Sequence, residues 1–361
     1  MNNLSPYSPK LKSKILAAAL LILGLKTTGL PPLLHAATAD QPEFHVKDQW
    51  NIGGKGGWGF LVLDAPAHRL YIPRTNRVMV IDTETGKPIG EIEDMKNIRD
   101  VALDDSGKYG YATDVTDGSA GFVRVFDRST LKLVTSIPTG AVPNAVAFDP
   151  SSKSVFVFNS RGRSVTVIDT ATNLVTATIP LSSRPGSAIG DGNGAIFVTL
   201  PALGEITRID AFEKKITSSW PLGSCTGPSG LAIDSAHHQL FTTCENHTLA
   251  AVDALTGYTT TVGQLPPGAG DIDFTPKQNL IFAANIDGTL SIFHRESANR
   301  YAKVQQLKTQ PGARTMIANH QESKVYLVTS KYGQNTAATS EELQFRPTPI
   351  PGTFSVIVVE R

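Results

Sequence analysis

Cysteine is almost missing from this chain: Cys225 and Cys244 are the two among 361 residues. So few thiols exclude a multi-cysteine zinc site and a disulfide-dense scaffold. An excess of one charge is missing too. The 33 basic residues nearly balance the 32 acidic ones, so no global field draws the chain to nucleic acid or anionic lipid. No apolar run reaches the roughly 20 residues of a membrane-spanning helix; Ile15 to Leu25 is eleven long. A helical hydrophobic period is absent beyond residue 40, which argues against an α fold. The patterns G-x-S-x-G, H-E-x-x-H and C-x-x-C-H do not occur. With them go a serine-hydrolase elbow, a zincin helix and c-type haem attachment. No cofactor and no metal site is expected.

What is present begins with a leader. Lys10, Lys12 and Lys14 precede Ile15–Leu25, and Ala37-Thr38-Ala39 follows Pro31 and Pro32. A basic start, a short apolar core and a small-residue exit form a secretory signal. A membrane anchor is the alternative, and eleven residues are too few for it. The expected division is a signal over 1–39 and one domain over 40–361. Removing the signal takes four lysines and no acidic residue, leaving 29 basic and 32 acidic side chains. The expectation is a periplasmic or secreted monomer with no transmembrane span. In an exported chain Cys225 and Cys244 read as one disulfide, the alternative being two reduced buried thiols.

The rest of the chain repeats itself. VMVID, VRVFD, VTVID, ITRID and LAAVD end at Asp82, Asp127, Asp169, Asp210 and Asp253. LSIFH and VIVVE continue the frame to His294 and Glu360. Steps of 45, 42, 41, 43 and 41 residues are followed by one of 66, which marks an insertion over about 332–352. Roughly a dozen residues before each of the first six ends stands an aromatic, Tyr71, Tyr111, Phe156, Phe197, Phe241 and Phe282, and Tyr326 takes that place ahead of the insertion in the last unit. A third column, ending at Asp64, Asp104, Asp149 and Asp234, opens the units. Each unit thus holds four short β-branched and aromatic runs separated by turn residues. That pattern, at 40–45 residues per unit, predicts an all-β, seven-bladed β-propeller of four-stranded antiparallel blades.

Closure is written in the sequence as well. The last unit stops after FSVIVVE without a fourth strand, and EFHVKDQWNI (43–52) is a strand to spare before the first unit. Pairing the two closes the ring and removes open sheet edges.

VTVIDTATN, VMVIDTETGK, GPSGLAID with LFTTCEN, and the closing PGTFSVIVVER resemble the YVTN-repeat, YncE-like β-propellers of bacterial cell envelopes. The resemblance covers about residues 50 to 361 and implies an exported propeller. It leaves function open: members are mostly of unclear role, one relative resembles a DNA-binding protein, and lactonases and lyases share the architecture. Family members often carry acidic residues after the loop prolines. Asn144 and Gly186 occupy those places after Pro143 and Pro185, which weakens a metal-enzyme reading.

Ligands enter propellers at the channel mouth, so the ring of residues before each inner strand holds the candidates. Arg99, Asp100, Asn144, Asp271 and Arg314 stand out among small neighbours. Charges in a narrow channel are costly unless paired or meeting a ligand. They predict a grip on a small polar or anionic ligand, with Arg99 and Arg314 donating. The bland alternative is Arg–Asp pairs and water filling the channel. Trp58, in GGKGGWGF, either stacks on a ligand or plugs the seam between first blade and closing strand. Phe345 and Arg346 are the contact candidates in the insertion. The leading expectation is a binding module for such a ligand or for an envelope protein. A lactonase- or lyase-like enzyme and a single-stranded nucleic-acid binder are the alternatives. Asp169, by contrast, is expected to cap a turn with its carboxylate.

Overall fold

The computed structural model describes residues 43–116, 118–333 and 349–361. The leader, Phe345 and Arg346 lie outside the described residues. Seven four-stranded antiparallel sheets form the ring. Blade three shows the plan: Pro143–Asp149 innermost, then Ser154–Asn159, Ser164–Asp169 and Leu174–Pro180. Among the described residues no helix is long and apolar enough to cross a membrane.

Alternation along the strands makes the core. In Ser154–Asn159, Val155 and Val157 face blade two, while Phe156 and Phe158 face blade four. Each middle strand is therefore buried on both faces, and its sequence is a nearly unbroken apolar run. Seven such clusters fill the seams between neighbouring blades. All seven repeat aromatics are at most 1% exposed. Each contributes about 1.5–3 kcal/mol by burial.

Polar columns of the repeat fix the turns and the spacing. The Asp169 carboxylate accepts the Thr172 N–H at 2.9 Å and its hydroxyl at 2.7 Å. Asp82, Asp127, Asp210 and Asp253 cap their turns in the same way. These bonds hold the Asp169 carboxyl below the usual carboxylate range. At the inner strand ends, buried Asp64 pairs with Arg128 of the next blade, and Asp234 with Arg295 at 2.5 Å.

The ring closes as the spare strand implied. His45–Asn51 pairs antiparallel with Ser355–Glu360, completing blade seven with Lys324–Thr329 and Thr315–Asn319. Trp50 of the closing strand packs over Gly86 in the first blade's outer turn. A Cβ there would sit 2.6 Å from the indole, and φ is +69°.

Candidate ligand cavity in the central channel

The seven inner strands surround a cavity of about 500 Å³. Phe60, Asp100, Ala145, Ser187, Gly230 and Asp271 form one ring of its lining. From there the lining runs along the inner strands to Ala65 and Pro66 in blade one and to Asn319, His320 and Gln321 in blade seven. Ala65, Pro66, His320 and Gln321 belong to the turns joining first and second strands, and Asn319 ends its inner strand. The cavity thus extends from the Asp100–Asp271 ring toward the face opposite the rim loops.

Of the residues singled out from sequence, Asp100 and Asp271 line this cavity. Arg99, Asn144 and Arg314 sit one residue nearer the rim, outside the lining; the two arginines are exposed. Their backbones have a definite job. Arg99 O accepts Phe60 N–H at 2.9 Å, and Arg314 O accepts Asp271 N–H at 2.8 Å, tying adjacent inner strands together. Glycine is required opposite each carbonyl, since a Cβ on Gly59 or Gly270 would come within 1.9 or 2.2 Å of it.

Trp58 is half-buried in the seam between blades seven and one, 5.4 Å from the Phe354 ring. The glycine loop around it is wrapped on Arg74, which is 1% exposed. The Arg74 guanidinium stacks on Phe354 and donates to the carbonyls of Gly53, Lys55, Gly56 and Gly57 at 3.0–3.4 Å. Burial lowers its pKa to about 10. Cys225 and Cys244 form the expected disulfide, pinning a loop to the blade-five hairpin at the rim.

The channel carboxylates work as staples between blades. Asp100 takes the Val101 N–H at 2.8 Å and, from blade three, the Val146 N–H at 2.9 Å. Asp271 takes the Met316 N–H of blade seven at 3.3 Å. Burial pushes both carboxyls up to about 7, against the pull of those N–H groups. Asp100 and Asp273 push Asp271 further up, and Arg314 pulls it down.

Two cavity residues escaped the sequence reading. Asp273 accepts the Phe274 N–H at 2.8 Å, the Ala318 N–H at 2.9 Å and His320 Nε2 at 2.9 Å. Attraction to that carboxylate raises the His320 pKa, and its imidazole remains 52% exposed at the cavity's end. A signal for Asp273 existed. Its place in the frame is apolar in the other six blades: Val62, Ala102, Ala147, Ile189, Ala232 and Ile317.

The sequence matches no protein-family model and no curated protein. Solved structures share the fold. Similarity to a chain of Kuenenia stuttgartiensis hydrazine synthase has a TM-score of 0.62 at 16% identity, covering 74% of this chain and 91% of that one. Against U3-55K the TM-score is 0.69 at 10% identity, over 87% and 98%. Against the WD40 repeats of RRP9 it is 0.70 at 10% identity, over 88% and 97%. Likeness at such identities establishes the class, a closed seven-bladed β-propeller, and leaves the function to the site.

Proposed function

We propose that this protein is an exported binding module that takes a small polar ligand into the central channel from the face of the inner-strand turns. The observation that carries the reading is the 500 Å³ cavity, where Asp100, Ser187, Asp271, Asp273, Asn319, His320 and Gln321 interrupt an otherwise apolar wall. Binding cavities have this size and this mixture of apolar walls and few polar groups. The motif resemblance to YVTN-repeat propellers, the leader ending at Ala39 and the disulfide support an envelope or secreted location. The rim candidates Arg99, Asn144, Arg314 and Trp58 then shape the opposite mouth and its seam.

A second reading has one observation in its favour. His320 held by Asp273 is the arrangement of an oriented general base, so a lyase- or lactonase-like reaction at the cavity's end is the enzyme alternative. A thermal-shift screen of small amines, alcohols and carboxylates separates binding in the channel from binding elsewhere. Compounds that stabilise the protein should lose their effect in Ser187→Phe, which fills the cavity. Equal stabilisation of a normally folded Ser187→Phe would place the ligand outside the channel and end this reading.

A further inference from the structure

We propose that the channel cavity selects a small organic cation, a protonated amine, with Asp271 as its principal partner. This inference rests on the channel-ligand reading above. Among the described residues three carboxylates line the cavity, no lysine or arginine does, and the one other ionisable lining residue, His320, is engaged by Asp273. The three carboxylates differ in what they still offer. Both Asp100 oxygens already accept backbone N–H groups, as do both Asp273 oxygens. Asp271 has one long bond to Oδ2, and among the described residues no donor reaches its Oδ1. A half-buried carboxylate on the channel wall, so thinly supplied with donors, leaves a free acceptor facing the cavity. An ammonium group supplies both the missing donor and the opposite charge.

The geometry also distinguishes an amine from a metal ion. Among the described residues no three histidine, cysteine or carboxylate side chains converge as metal ligands. The cavity is larger than a bare ion needs and is mostly apolar, which suits an ammonium on a carbon chain. An anion would meet Asp100, Asp271 and Asp273 with no compensating lysine or arginine on the wall.

Binding should release a proton. Facing Asp271 are Asp100 and Asp273, which hold its proton on, and Arg314 on the rim side, which helps remove it. His320 is tied to Asp273 and gains its own proton as pH falls. With the Asp271 carboxyl at about 7, lowering pH from about 8 to about 5.5 should weaken a single-carboxylate contact roughly thirtyfold. A positive His320 adds to the loss.

The test uses the mature protein and three four-carbon probes of equal length, putrescine, succinate and butanediol, followed by titration calorimetry. Putrescine should bind at pH about 8 in preference to the other two and weaken on acidification. Asp271→Asn should reduce putrescine binding about ten- to a hundredfold while retaining the fold by circular dichroism. Stronger binding of succinate or butanediol, abolished by Ser187→Phe, would overturn the cation assignment and leave the channel reading standing. Putrescine binding untouched by both Asp271→Asn and Ser187→Phe would overturn both, as would no binding of any probe at millimolar concentration.

Discussion

Replacing Asp271 by asparagine should change how stability depends on pH. The unfolded chain releases the Asp271 proton near 3.8, and the folded protein near about 7. Between those values the folded state holds one proton more than the unfolded state. Stability therefore falls as pH rises through this window and is flat on either side of it. The difference of about three in pKa corresponds to ~4 kcal/mol, an upper bound because water in the cavity screens the ionised carboxylate. Asparagine is isosteric with the neutral acid and keeps an oxygen for the Met316 N–H. Asp271→Asn should thus match the parent near pH 3 and exceed it near pH 8 by as much as ~4 kcal/mol. Relief of Asp100, which shares the channel field, adds in the same direction. The assay is urea unfolding followed by far-ultraviolet circular dichroism at fixed ionic strength across that range. A stability difference between parent and variant that does not change with pH would refute the reasoning. Asp100→Asn is the comparison: it loses one of two backbone bonds, a cost of about 1 kcal/mol or more. Because burial raises the Asp100 carboxyl to about 7 as well, it should be less stable than the parent near pH 3 and gain on it as pH rises to about 8.

Three further outcomes are expected. Reducing the Cys225–Cys244 bond, which spans 19 residues, should lower stability by about 3 kcal/mol; intact mass should rise by two protons. The buried Tyr111 hydroxyl has no hydrogen-bond partner among the described residues. Tyr111→Phe, the residue found in blades three to six, should therefore raise stability by roughly 1 kcal/mol, measured by the same unfolding assay. Arg74→Met strands the carbonyls of Gly53, Lys55, Gly56 and Gly57. It should cost about 3 kcal/mol and expose residues 53–57 to limited proteolysis; unchanged protection there would mean that the loop holds itself.

The rim arginines and the channel aspartates divide the site between what could and could not be read. The frame that aligned Arg99, Asp100, Asp271 and Arg314 is the frame of the structure, one residue apart on alternating faces. Composition alone marked all four as unusual. It gave no means of telling which charge meets the cavity, because an inner strand's two faces differ only by where the neighbouring blades lie. The arginines extend at the rim, and the aspartates staple blade to blade. The ligand class we propose accordingly moves from anion to cation.

Period, aromatic column and turn aspartates are local properties of 40–45 residues, repeated seven times. Each repeat buries its strands only against its neighbours, so the sequence by itself determined blade count, strand pairing, ring closure and the rim position of the disulfide. The Asp273–His320 pair, the Arg74 anchor and the cavity's direction join residues from different strands, turns and blades. Such contacts depend on the twist and tilt that bring seven inner strands together. Only the closed ring decided them, and the candidate site is made of them.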